Sequence, residues 1–202
     1  LEMRIKIYKK YLFFEIKFGI ITVNFNKGRI NMAVEPSLLK DILIFRDLTD
    51  EELVQIAGIT EDFTLPGNRI LFNQSDEADS FYIILEGEVD VRKNLGTKEQ
   101  KIANMSKGAI IGEMAFLTET RRTGTIKTIT KVRFLKILKD EFKTLLLEEN
   151  SIAAYKIVYR LAQILSFRLA RISEQFVDYL NTNKVPEKEK EGFLENIKKI
   201  FL

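Results

Sequence analysis

The sequence predicts a mainly β fold, a sandwich or jelly roll, with short helices ahead of it and one long helix after it. Three observations predict this. Short runs rich in Ile, Val, Phe and Tyr recur between Thr64 and Ile137, closed by glycine-bearing or polar turns, as in antiparallel folds of many short strands. From Pro36 to Gly58 the apolar residues fall at helical spacing instead. From Ser151 to Leu180 that spacing returns and persists for many turns.

Taken in order, residues 1–31 are rich in Ile, Tyr, Phe and Val with lysines between them. This predicts two or three strands with turns near Phe18-Gly19 and Asn26-Lys27-Gly28. Two readings of this β-rich extension stand open. It is an added hairpin or dimer arm, or it derives from a leader. In the second case Met32 is the natural start; as a separate possibility, Leu1-Glu2 ahead of Met3 is a cloning remnant. Lys27-Gly28-Arg29-Ile30-Asn31 is what a purine-rich ribosome-binding sequence spells when translated.

Pro36 to Gly58 predicts two short amphipathic helices interrupted around Phe45-Arg46-Asp47, with Thr49 as N-cap and Glu51 and Glu52 in the first turn. Pro66-Gly67 makes a turn before the strand Ile70-Leu71-Phe72. Asn73 to Ser80 is a polar loop, Phe81 to Leu85 a buried strand, and Glu86-Gly87-Glu88 a turn into the alternating Val89-Asp90-Val91. Asn94 to Thr97 is a hairpin tip, Lys101-Ile102-Ala103 the return strand, and Ala109 to Ile111 a further short strand. Ile126, Val132, Phe134, Leu135 and Ile137 belong to the last strands, and Asp140 is the expected N-cap of a helix reaching Glu149.

In the long helix the seam from Leu165 to Tyr179 keeps a heptad-like rhythm and exceeds what one core requires. Asn181 to Glu191, with Pro186 and a Lys/Glu run, is a linker. Phe193 to Leu202 is a short amphipathic helix, for which packing on its own domain is favoured over contact with a membrane surface.

Composition narrows the chemistry. A chain of 202 residues, 46% hydrophobic, can bury one good core with a small appendage. A formal charge of +3 with 30% charged residues offers no case for nucleic-acid binding. With Cys 0 and His 0 there are no disulfides, no thiolate chemistry, and neither the commonest metal ligand nor the commonest general base. An enzyme and a resident metal are therefore not expected. No secretory signal peptide is evident and no apolar run is long enough to span a bilayer, so a soluble cytoplasmic protein is the expectation.

The stretch from Ile111 to Ile126 carries the chemistry. Its order predicts a strand, one turn of helix, a loop and another strand. A helix N-terminus offers unpaired N–H groups and a positive dipole end to an anion. Arg122 can add a planar fork of donors for a phosphate, and Glu113 can accept hydrogen bonds from a diol such as a ribose. One anion site beside one sugar-hydroxyl site suits a cyclic mononucleotide.

This stretch resembles the phosphate-binding cassette of the cyclic nucleotide-binding domain family, Phe-Gly-Glu-(Leu/Met)-Ala-Leu followed by Pro-Arg-x-Ala-x-Val, with Gly112, Glu113, Ala115, Leu117, Arg122 and Ile126 in matching or equivalent places. The flanks resemble it too. Leu39 to Leu53 is similar to the helical leaf of that family, and Pro66 to Val89 to its Pro-Gly-x-x-(Ile/Leu), acidic loop, Tyr-Ile-Ile-x-x-Gly-x-Val pattern. The resemblance implies a β-roll (double-stranded β-helix) over residues 32–181, followed by a linker and tail over 182–202. It implies Glu113 on the ribose 2′-hydroxyl, Arg122 on the cyclic phosphate, and Gly112, Met114, Ala115 and Thr123 at the ligand. Ile172, Ser173 and Phe176 lie where base-capping contacts belong, with dimer core as the equal alternative.

Three departures stand out. Arg121 replaces a proline, which is expected to add charge and loosen the turn; Gly124 replaces an alanine, which is expected to change little; Ser75 replaces a glycine, which is expected to strain its turn. Thr123 is compatible with cGMP through its hydroxyl and with cAMP as a simple cap.

The resemblance thus implies a non-catalytic sensor of cAMP or cGMP that changes its C-terminal helix on binding, forms a homodimer through that helix and acts on an effector protein of unknown identity. The alternatives are a degenerate structural dimer without ligand, and the sensor part of a transcription regulator lacking its helix-turn-helix. With only Asn181 to Leu202 after the long helix, direct DNA binding is not expected.

Overall fold

The computed structural model describes residues 4–8, 11–16, 19–26 and 29–32 by their backbone, and residues 34–94, 96, 98–182, 186, 190–192 and 195. The chain divides into two compact units, Leu1–Val158 and Tyr159–Leu202.

Within the first unit, β1 (Arg4–Tyr8), β2 (Tyr11–Ile16), β3 (Gly19–Asn26) and β4 (Arg29–Met32) form an antiparallel sheet in sequential order. There are four strands where the sequence predicted two or three. The short alternation in Arg29–Met32 carries too few residues to register as a strand by itself, and pairing with Val23–Asn26 supplies the rest. Register sets Phe14 opposite both Ile5 and Ile21. The expected turn residues Phe18, Lys27 and Gly28 lie outside the described residues.

Next come α1 (Pro36–Leu39), a 3₁₀ turn at Leu43–Phe45 and α2 (Asp50–Ala57). Thr49 caps α2 through a reciprocal box: Thr49 N donates to Glu52 Oε2 at 2.8 Å and Glu52 N donates to Thr49 Oγ1 at 3.3 Å.

Eight further antiparallel strands form two four-stranded sheets. One has the order β10 (Ile110–Ile111), β7 (Ser80–Glu86), β12 (Val132–Leu138), β5 (Thr60–Leu65); the other has β6 (Ile70–Phe72), β11 (Thr125–Thr128), β8 (Glu88–Asn94), β9 (Glu99–Ser106). Late strands pair with early ones, β12 with β5 and β11 with β6, which closes the chain into a roll. Tyr82, Ile84, Val89, Ile111, Ile126, Val132 and Phe134 fill its interior. Phe134 stacks on Phe63 at 5.4 Å and meets Tyr82 edge-on at 6.2 Å. β7 is buried on both faces as far as Leu85, which is why its run from Phe81 to Leu85 is continuously apolar rather than alternating.

After β12, α4 (Lys139–Lys143) starts one residue before the expected cap. Leu138 takes the N-cap place because Lys139 N donates to Asp79 O at 2.8 Å, and Asp140 falls in the first turn. A π-helical turn at Thr144–Glu148 and Asn150 at φ +51° interrupt the helix before α5 (Ile152–Thr182) begins. The opening of α5 is fastened to α2: Lys156 Nζ reaches Glu52 Oε2 at 2.8 Å and Asp47 O at 3.0 Å, and Ser151 Oγ donates to Gln55 Oε1 at 2.8 Å.

In the second unit, α5 runs two residues past the expected end. It exposes Tyr159, Phe167, Leu169, Ile172, Val177 and Tyr179, and buries Leu161 and Leu180. The expected amphipathic helix from Phe193 to Leu202 lies outside the described residues, Glu195 excepted. Among the described residues no helix is long and apolar enough to cross a membrane, and no group of three or more His, Cys, Asp or Glu could hold a metal ion.

Candidate functional site

The stretch from Ile111 to Ile126 folds in the order its composition predicts. β10 ends at Ile111, opposite Tyr82 of β7; Gly112 turns the chain; α3 (Glu113–Thr118) follows, and Glu119 at φ +58° ends it. Gly112 adopts φ +81°, a region only glycine enters freely. No side chain caps α3. Ala115 and Phe116 anchor the helix, Phe116 edge-on to Phe81 at 4.8 Å and to Phe142 of α4 at 5.3 Å.

Arg122 is the centre of this arrangement. Its side chain is 1% exposed, an unusual state for a guanidinium. Nη1 donates to Ser80 O at 2.7 Å and to Gly112 O at 3.4 Å, while Nη2 donates to Asp79 Oδ1 and Ser80 Oγ, both at 3.3 Å. The guanidinium lies over the Phe72 ring at 4.3 Å and near the Tyr82 ring at 5.6 Å. Nε is buried and has no hydrogen-bond partner.

Burial pushes the Arg122 pKa down from its ordinary value, and Tyr82, Asp79 and Asp76 push the other way; the group remains a cation. Its carboxylate partner Asp79 is 66% exposed and shared with Lys136, whose Nζ stands 3.4 Å from Oδ2. Burial works to raise the Asp79 carboxyl, but the Ser80 hydroxyl, Lys136 and Arg122 outweigh it and hold the group below its ordinary value. The guanidinium is thus held by protein acceptors and by an exposed carboxylate shared with Lys136, while its Nε is left without a hydrogen-bond partner.

The predicted residues therefore fall into three sets. Gly112 and Arg122 touch, and Glu113, 4% exposed, follows directly from Gly112. Met114, 51% exposed, and Thr123, also exposed, belong to the same excursion but face outward. Ile172, Ser173 and Phe176 belong to the second unit; Ile172 is exposed and Ser173 Oγ donates to Leu169 O at 2.9 Å.

Phe72, Asp79 and Ser80, which support Arg122, were missed by sequence reasoning. The one signal for them was Asp79-Ser80 at the end of the polar loop, directly before a buried strand.

Arg121 is tied to the neighbouring turn: Nη1 donates to Ser75 O at 2.9 Å. One expectation about the departures needs correction: Gly124 is not a neutral change. A Cβ at that position would stand 2.9 Å from Arg92 O, so in this chain glycine permits the close approach of the segment before β11 to β8. Ser75 does take the strained conformation expected of it, at φ +71°.

Residues 63–149 match the family model described as the cyclic nucleotide-binding domain. That segment belongs to the cyclic nucleotide-binding domain family. A cyclic nucleotide-binding domain from Methylobacillus flagellatus KT is similar in structure, with TM-score 0.62 and 26% identity over 71% of this chain and 80% of that one. The Thermus thermophilus catabolite activator protein shares the fold at TM-score 0.57 and 23% identity, covering 68% of this chain and 62% of that one. Among curated proteins, the cAMP-dependent protein kinase regulatory subunit of Schizosaccharomyces pombe is 30% identical over 60% of this chain. A cGMP-dependent protein kinase of Drosophila melanogaster is 32% identical over 52% of it. The chain spans 28% and 12% of the length of these two relatives, so the likeness concerns the domain and not the kinases as wholes.

Proposed function

We propose that this chain is a non-catalytic cytoplasmic sensor module for a cyclic mononucleotide, cAMP or cGMP. The observation that carries the reading is the buried Arg122, its Nε without a partner, set against the Gly112 turn. In this reading Arg122 takes the cyclic phosphate, Glu113 takes the ribose 2′-hydroxyl, and the backbone of Gly112, Met114 and Ala115 frames the excursion, with Thr123 beside it. Ligand binding biases the C-terminal helix through contacts within the first unit. Phe116 of α3 meets Phe142 of α4, and Asp79, the partner of Arg122, also receives the first N–H of α4 on its carbonyl. Such a response requires that the ligand bind one arrangement better than the other.

The same reading assigns a homodimer to α5. Leu165, Leu169, Ile172, Phe176 and Tyr179 recur at alternating intervals of four and three, with Leu169 56%, Ile172 62% and Tyr179 58% exposed. The effector is a further protein that receives the change.

Thermal unfolding with cAMP, cGMP and 5′-AMP tests the assignment. A ligand at a hundred times its Kd stabilises the folded state by about 2.7 kcal/mol. A cyclic nucleotide should therefore raise the unfolding midpoint by several degrees while 5′-AMP does not; no shift with either cyclic nucleotide contradicts the assignment. A second reading, a structural module without ligand, is favoured by one observation: both Nη atoms of Arg122 already have protein acceptors.

A further inference from the structure

We propose that Arg121 is a positioning residue for the anion site: it clamps the carbonyl of Ser75 and thereby fixes the turn against which Arg122 is set. The inference rests on the assignment of Arg122 to the ligand phosphate.

The segment 73–76 and the end of the cassette run side by side and are joined at four points. Gln74 N donates to Thr125 Oγ1 at 3.0 Å, Ser75 N to Arg122 O at 2.8 Å, and Arg122 N to Asp76 O at 2.9 Å. The fourth bond, Arg121 Nη1 to Ser75 O at 2.9 Å, is the only one supplied by a charged side chain. Asp76 closes the turn on itself, accepting from Asn73 N on Oδ2 at 2.7 Å and donating its own N–H to Asn73 O at 3.2 Å.

Ser75 sits at the apex with φ +71°, where its Cβ is crowded and a serine is held only if its surroundings insist. The bond from Arg121 supplies that insistence. It satisfies the Ser75 carbonyl in this one conformation, and the Ser75 N–H, directed by the same turn, holds the Arg122 carbonyl. Arg122 therefore has two kinds of support. Its guanidinium is set by Asp79, Ser80 and Gly112, and its backbone by the clamped turn. Arg121 itself is exposed and makes no ion pair among the described residues, so its guanidinium is committed to the backbone carbonyl.

The geometry points to a pairing of residue types. A serine in a left-handed turn needs the arginine; a glycine there would not, because glycine enters that region freely. This gives a test by rescue, with cAMP and cGMP as probes and four proteins: unsubstituted, Arg121→Ala, Ser75→Gly and the double variant. Arg121→Ala should weaken binding about three- to tenfold, the range of an ordinary net hydrogen bond, since this one is exposed to water. Ser75→Gly alone should bind as the unsubstituted protein does, and Ser75→Gly added to Arg121→Ala should restore most of the loss. Unchanged affinity in Arg121→Ala overturns the proposal. A loss that Ser75→Gly fails to repair also overturns it, since Arg121 would then act on the ligand itself. If the unsubstituted protein binds neither nucleotide, the assignment of the site fails and the clamp is judged by unfolding midpoints. A drop in Arg121→Ala that Ser75→Gly removes upholds it, and strictly additive shifts overturn it.

Discussion

A single methyl group at Gly112 tests whether the cassette turn is built around Arg122. The Cβ of an alanine there would stand 2.4 Å from Arg122 Nη1, and the backbone is at φ +81°. Two costs follow. An L-residue in the left-handed region costs about 1–2 kcal/mol. The Nη1 atom must also move by about 1 Å to reach ordinary contact, which breaks its 2.7 Å bond to Ser80 O. An arginine tip usually yields cheaply, but this one lies against the Phe72 and Tyr82 rings in a residue only 3% exposed. Losing a bond to a charged donor costs about 1.5–3 kcal/mol.

Gly108 separates the two costs. It has φ +85°, and a Cβ there would meet nothing within 4 Å. Gly108→Ala should therefore show the backbone cost alone, with the same gain from a stiffer unfolded chain. At about 2–4 °C per kcal/mol for a chain of this size, Gly108→Ala should lower the unfolding midpoint by about 2–8 °C and Gly112→Ala by about 5–20 °C. Differential scanning calorimetry on both variants reads the difference directly. Equal shifts would refute the claim that Arg122 occupies the space the glycine leaves.

Arg122→Ala should reduce nucleotide affinity about ten- to hundredfold, the loss of a charge-assisted contact. It should also lower the unfolding midpoint, because Ser80 O, Gly112 O and Asp79 each lose one donor; unchanged affinity in titration would place the phosphate elsewhere. Asp79 is held below its ordinary carboxyl value, so its pairing stabilises the fold above the unfolded range, near about 4, and is lost as pH falls through the lower folded value. Unfolding midpoints should hold steady from neutral pH down to that range and then fall more steeply than in Asp79→Asn; identical profiles would show that the Asp79 charge does not stabilise the fold. Leu169→Glu should shift the protein to the monomer in sedimentation, since the assigned seam would bury that charge without a partner; an unchanged dimer would put the interface off α5.

Much of the fold was legible because local chemistry and tertiary need agree. Thr49 and Glu52 form the box their spacing announces, and the unbroken apolar run of β7 matches a strand covered on both faces. The order strand, turn, helix, loop, strand from Ile111 to Ile126 was legible for the same reason: glycine, carboxylate and arginine each suit one place in it. The bed of Arg122 was not. Ser80 lies 42 residues from it and Asp79 43, and only the pairing of β7 with β10 carries them to the cassette. Nor could spacing show that Arg121 would find the Ser75 carbonyl, 46 residues away, or that Gly124 would pass so close to the backbone of Arg92. These contacts depend on register, and register is settled by the whole sheet. The start of α4 shifted for a similar reason: a carbonyl from Asp79 caps what sequence alone would give to Asp140.

The most direct measurement is a calorimetric titration of the purified protein, freed of bound nucleotide, with cAMP and then cGMP, repeated on Glu113→Ala. Saturable binding at micromolar concentration or tighter, abolished or strongly weakened in the variant, is the expected result, and the ratio of the two affinities identifies the preferred nucleotide. No heat with either nucleotide, or equal binding by Glu113→Ala, would contradict a cyclic-nucleotide site at Glu113 and Arg122.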